Sequence, residues 1–149
     1  MSLESEVAVI RQVPIFSTIN LAQQKLLCFS SERLTFEPGE VLFREGDAAD
    51  SAYVLIEGAV EITIATQDGP RLVNTVGRNG MVGETAIYGD VPRTATATAK
   101  TRLEALRICQ DLFCELVRDN AEAALQLNRI LARRLANTTA LLSATLRAA

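Results

Sequence analysis

Histidine and tryptophan are both absent from the 149-residue chain. Without histidine there is no Ser-His or Cys-His nucleophile pair, no ordinary general base near neutral pH, and none of the commonest metal ligand. No apolar run approaches the roughly 18 residues needed to span a bilayer, so no membrane insertion is expected. Cysteine is scarce: Cys28, Cys109 and Cys114 show no CxxC spacing. That pattern argues against a metal cluster and fits buried thiols in a reducing compartment. No basic stretch followed by an apolar core opens the chain, which is expected to be cytoplasmic. Strong charge of one sign is lacking too. The formal net charge is −3, and residues 120–149 hold four arginines against Glu122, a local +3 that leaves −6 for the rest. A net acidic body is a poor general trap for nucleic acid. The tail arginines read most simply as the solvated face of a helix.

What is present is the balance of one globular domain, with 48% hydrophobic and 22% charged residues. Residues 1–32 show short helical spacing (Val9, Ile10, Val13), a break at Pro14, and a second apolar group at Ile19, Leu26, Leu27 and Phe29, with Asn20 as a plausible cap. Over residues 33–108 the period drops to two and glycine punctuates it. Pro38-Gly39, Gly46-Asp47, Gly58 and the hairpin signal Asp68-Gly69 separate short apolar strands. Such spacing indicates a β-sandwich or barrel. Residues 109–149 turn helical: a short amphipathic piece over 111–118, then an Ala-, Leu- and Arg-rich segment without Gly or Pro. Leu131, Leu135, Thr138, Leu142 and Thr145 space a seam suited to a partner helix. The expected fold is mainly β with flanking α: a β-roll between N-terminal helices and one long C-terminal helix.

The segment 83–95 does not read as ordinary strand or turn. Gly83 permits close backbone approach, Glu84 to Tyr88 can form one helical turn, and Gly89 can end it. The free amides at such a turn favour an anion. Val91-Pro92 forces an extended entry into Arg93, because a residue before proline avoids the helical region. The Arg93 fork then returns to the turn and can grip a phosphate in bidentate fashion. Glu84, awkward beside an anion, makes sense as an acceptor for a sugar hydroxyl next to the phosphate. Taken singly, Glu84 could instead complement a helix dipole and Arg93 could be a surface ion pair.

The pattern Gly-Glu-x-Ala, six residues, then Arg-x-Ala resembles the phosphate-binding cassette of cyclic nucleotide-binding domains, found in cAMP-dependent protein kinase regulatory subunits and in catabolite activators. Pro38-Gly39-Glu40, Arg44-Glu45-Gly46-Asp47 and Tyr53-Val54-Leu55-Ile56-Glu57-Gly58 are similar to the same family's strand and turn signatures. The resemblance covers roughly residues 10 to 145. It implies a jelly-roll-like double-stranded β-helix. It also implies a nucleotide site in which Glu84 takes the ribose 2′-hydroxyl and Arg93 the cyclic phosphate. Gly83, Thr85, Ala86, Thr94 and Ala95 line the cradle, with backbone amides near Ala86, Thr94 and Ala95. Thr94 supplies a hydroxyl that favours cGMP in some members. On the long helix, Leu131-Ala132-Arg133-Arg134-Leu135 and then Thr138-Thr139 resemble a dimerisation helix. There Thr138 would meet the base in its own chain and Thr139 the base held by the partner. Seam-filling hydroxyls explain both residues almost as well.

Thr85 replaces the family's usual Leu or Met, and Met81-Val82 replace an aromatic pair; both changes soften the apolar wall without removing a polar contact. No helix-turn-helix follows within the chain, so no DNA-binding element is expected. The leading expectation is a regulatory sensor for a cyclic nucleotide, cAMP favoured over cGMP. It would need no cofactor, would act through the C-terminal helix on an effector, and could pair as a homodimer. The alternative is an interaction module of the same fold with little or no nucleotide affinity. An enzyme is not expected, since neither a metal-ligand cluster nor an activated nucleophile is visible.

Overall fold

The computed structural model describes residues 3–148; residues 1, 2 and 149 of the expected single domain lie outside the described residues. Helices α1 (Leu3–Gln12) and α2 (Leu21–Ser30) lead into strands β1 (Glu32–Phe36), β2 (Val41–Phe43), β3 (Ser51–Glu57), β4 (Val60–Thr66), β5 (Gly69–Val76) and β6 (Met81–Val82). A six-residue helix α3 (Glu84–Gly89) interrupts the strands, and β7 (Thr96–Ala99) and β8 (Leu103–Cys109) complete them. Helices α4 (Gln110–Asp119) and α5 (Ala121–Ala148) close the chain. Asn20 caps α2 as expected: its side chain accepts from the Gln23 amide at 2.8 Å, and the Gln23 side chain accepts from the Asn20 amide at 3.3 Å.

The strands form two four-stranded sheets, ordered β1-β8-β3-β6 and β2-β7-β4-β5, with every recorded pairing antiparallel. Strand β3 sits inside the first sheet and is buried along all but its last residue. Its alternating side chains serve two cores. Ala52, Val54 and Ile56 join a cluster built with helical residues such as Ile10, Phe16, Leu27, Phe113 and Leu127. Tyr53 and Leu55 join a second cluster with Val60, Val82, Ala97, Leu103 and Ala105 inside the roll. A strand covered on both faces needs no polar alternation, which is why Tyr53–Ile56 is continuously apolar. Gly58 makes the β3–β4 turn at φ +93°, where a Cβ would lie 2.3 Å from the Arg102 carbonyl oxygen. No other residue fits there.

Two expectations fail at the surface. Leu26 and Phe29 of α2 are 51% and 84% exposed, because this helix buries only its Gln24, Leu27 and Cys28 face. The thiols are not uniformly buried either. Cys28 is buried, Cys114 is half-buried, and Cys109 is exposed at the N-cap of α4. Among the described residues no helix is long and apolar enough to cross a membrane, and no cluster of metal-ligating side chains occurs.

Candidate functional site

The short helix α3 begins where Gly83 adopts φ +87°. A Cβ there would stand 2.6 Å from Nη1 of Arg93 and 3.2 Å from the Ser51 carbonyl oxygen, so a side chain would displace the arginine. The helix ends at Gly89, and Asp90 follows in a left-handed conformation at φ +53°. The chain then returns over Val91-Pro92, and Arg93 is fixed from both sides: its amide donates to Asp47 at 2.8 Å and its carbonyl accepts from Gly46 at 2.8 Å. The turn Gly46-Asp47 therefore clamps the far end of the segment 83–95.

Arg93 is not a surface ion pair. It is 4% exposed, and among the described residues no carboxylate lies within 4.0 Å of it. Its partners are neutral. Nη1 donates to the Gly83 carbonyl at 3.0 Å, Nη2 donates to the Ser51 carbonyl at 2.8 Å, and the guanidinium carbon lies 4.1 Å from the Phe43 ring centre. Nε is buried with no partner. Burial draws this guanidinium below its ordinary pKa; Tyr53, Asp50 and Asp47 act against that at longer range, and Arg107 adds to it. A buried cation without a counter-charge is costly, and an arriving anion removes the cost.

Glu84, the first residue of α3, is fully buried. One carboxylate oxygen, Oε1, accepts a hydrogen bond from Nη1 of Arg134, which reaches in from α5. Nη2 of the same arginine donates to the Met81 carbonyl at 2.9 Å. The other oxygen of Glu84, Oε2, is buried and unpartnered. Burial pushes the carboxyl above the ordinary range, against the pull of the Arg134 and Arg93 charges and a hydrogen bond from its own amide. The two charged residues singled out in the sequence thus lie at the two ends of one backbone hairpin. Each presents a buried polar atom with capacity left over.

The remaining expected site residues are placed as follows. Ala86 and Ala95 are buried, Thr85 is half-buried and Thr94 is exposed. Thr138 and Thr139 are both exposed on α5. The residue of α5 that reaches the segment is Arg134, one turn before Thr138. The reading of the tail arginines as a solvated face fails at this position: the Arg134 side chain is 34% exposed and doubly anchored. Its one signal in the sequence is its place four residues before the hydroxyl pair. A cavity of about 420 Å3 adjoins Glu84 and Arg134, lined also by Val13, Asn74, Arg78 and Ile130. It does not reach Arg93, so it meets only the Glu84 end of the site.

Two stacked antiparallel sheets, helices on one outer face and a helical hairpin carrying a buried glutamate and arginine define a ligand-sensing β-roll domain. A family model for the cyclic nucleotide-binding domain matches residues 33–120, and the chain belongs to that family. The chain is 31% identical over 131 residues, 87% of its length, to the CRP-like cAMP-activated global transcriptional regulator of Mycobacterium tuberculosis, of which it spans 58%. It is 32% identical over 108 residues, 72% of its length, to the cAMP-dependent protein kinase regulatory subunit of Yarrowia lipolytica, of which it spans 28%. The sensor domain of the transcriptional regulator DNR from Pseudomonas aeruginosa superposes with a TM-score of 0.80 at 25% identity, covering 89% of this chain and 90% of that one. The family is one of regulatory ligand-binding domains, and the chain is not an enzyme.

Proposed function

We propose that the chain is a cytoplasmic regulatory module that binds a cyclic nucleotide, cAMP in preference to cGMP, and reports the bound state through α5. The observation that carries this reading is the unsatisfied pair on one hairpin: a buried Arg93 with no acidic partner, and a buried Glu84 with a free oxygen. An anion next to a hydroxyl-bearing ring satisfies both, and a cyclic phosphate fused to ribose has that arrangement. Arg93 takes the phosphate, Glu84 Oε2 accepts from the 2′-hydroxyl, and the backbone about Gly83, Thr85, Ala86, Thr94 and Ala95 completes the cradle. The preference for cAMP rests on the relatives named above, both cAMP-regulated by name.

Transmission has a physical route. Arg134 ties α5 to Glu84 and to the strand before it, so a ligand that engages Glu84 acts on the same carboxylate that holds the helix. Beyond Arg134, Leu135, Leu142 and Leu146 are 67%, 57% and 67% exposed, an apolar edge suited to a second copy of this helix. In such a homodimer Thr138 and Thr139 come within reach of the base, and the effector is a partner or domain outside this stretch of chain.

Calorimetric titration with cAMP, cGMP and 2′-deoxy-cAMP tests the reading. The expected order of affinity is cAMP, then cGMP, with the 2′-deoxy analogue weaker than cAMP by roughly five- to 150-fold. That range corresponds to about 1–3 kcal/mol for a buried acceptor left unpaired. Equal affinity for cAMP and the 2′-deoxy analogue removes Glu84 from the site, and no heat with any of the three favours the interaction-module alternative.

A further inference from the structure

We infer that Phe43 is a positioning residue for anion recognition: its ring holds the Arg93 guanidinium in place without neutralising it. The inference rests on the reading of Arg93 as the phosphate ligand.

The geometry is specific. Phe43 ends β2, which pairs with β7 at Phe43 and Ala97, and the register shifts between Val41 and Phe43. Such a shift re-aims the side chain that follows it. The ring stacks on Tyr53 with centroids 6.1 Å apart and planes at 29°, and Tyr53 in turn meets Phe36 edge-on at 6.3 Å. The column ends in Arg93, whose guanidinium carbon lies 4.1 Å from the Phe43 ring centre, well inside the reach of a cation–π contact. Phe43 also bounds the space at Gly83, since a Cβ there would lie 3.3 Å from its Cε2. One aromatic ring thus touches both the arginine and the glycine that admits it.

The chemistry gives the ring a purpose beyond packing. A buried arginine is ordinarily held by a carboxylate, but that partner would have to be displaced, or its charge overcome, before an anion could bind. Here the in-plane donors rest on the neutral carbonyls of Gly83 and Ser51, and the guanidinium face rests on a ring whose π cloud is attractive to cations. The full positive charge therefore stays available while the side chain is held in place, which lowers the ordering cost of binding. An aliphatic side chain would fill the same space and supply no such attraction.

A series of Phe43 replacements by mono-, di- and trifluorinated phenylalanine tests this, because fluorination drains the π cloud while nearly preserving shape. Dissociation constants for cAMP should rise stepwise along the series, by about two- to thirtyfold in total, with the thermal midpoint of the free protein unchanged. In the free protein, the Arg93 side-chain N–H resonance should be displaced by the ring current and should return to the ordinary position in Phe43→Leu. A binding parent with a flat fluorination series overturns the positioning role alone. A parent that binds no cyclic nucleotide removes the function reading and this inference with it.

Discussion

Arg134 on the exit helix donates a hydrogen bond to Oε1 of Glu84, the first residue of the cassette helix, fifty residues earlier in the chain. The carboxylate has no solvent exposure, so this arginine is what offsets its burial on one side, while Oε2 stays open on the other. The contact sets two demands against each other. The Glu84 carboxyl is raised above its unfolded value, so the folded chain binds that proton more tightly than the unfolded chain does. Its contribution to folding is present at acid pH and is lost as pH rises through the folded value. Ligand binding instead needs the ionised form, which accepts at both oxygens.

Replacing Arg134 by methionine should therefore weaken cAMP binding by roughly tenfold or more, equivalent to about 1.4 kcal/mol. It should also move the acid limb of the affinity profile to higher pH, since removal of the neighbouring charge raises the carboxyl further. Titrations of parent and Arg134→Met from about pH 8 down to about pH 5 read this shift across the carboxylate range. Parallel profiles with equal affinities would show that the contact is only structural.

The cysteines should differ sharply in reactivity. Burial, with a further push from Glu6, raises the Cys28 thiol to about 11, and burial raises Cys114 as well. Cys109 alone of the three is exposed. Because the thiolate is the reacting species, iodoacetamide at neutral pH should modify Cys109 first and Cys28 last. Peptide mass spectrometry over time gives the order, and modification of Cys28 as fast as Cys109 would contradict the placement of α2.

Much of this was legible before any coordinates. The glycine-punctuated strands, the capped α2, the helical turn at Glu84 and the return to Arg93 all follow from local rules of turn and capping chemistry that act over a few residues. The site's polar residues could be picked out because charge inside an otherwise apolar and small-residue stretch has few bland explanations. Arg134 could not be singled out in the same way. On a helix carrying four arginines, only the packing angle of α5 decides which one turns inward. Phe43 reads as one more strand residue, and its role appears only when a register shift in β2 brings it beneath an arginine fifty residues away. The exposed Phe29 and Cys109 were missed for a related reason: apolar residue type says little about which face of a short helix docks.

The role of α5 in association has its own test. Ending the chain after Ala136 removes Thr138, Thr139, Leu142 and Leu146 but keeps Arg134 and its contact with Glu84. Phosphate and ribose recognition should persist with reduced affinity, and any effect of cAMP on self-association should vanish. Coupling of this kind is ordinarily about 1–3 kcal/mol, or five- to 150-fold in partner affinity. Sedimentation velocity of both chains, with and without cAMP, distinguishes the cases; a full chain that is monomeric in both conditions rules out a dimer-coupled α5.

The central claim is that Arg93 is held buried and unneutralised in order to receive a phosphate, and calorimetric titration of the parent and Arg93→Ala with cAMP tests it most directly. Loss of one partner of a buried charge pair costs about 2–5 kcal/mol, so affinity should fall by roughly thirtyfold to several thousandfold. The thermal midpoint of the free variant should not fall, because the substitution removes a buried cation that has no acidic partner. An Arg93→Ala chain that stays folded and binds cAMP within about threefold of the parent, a difference of under 1 kcal/mol, would contradict the account.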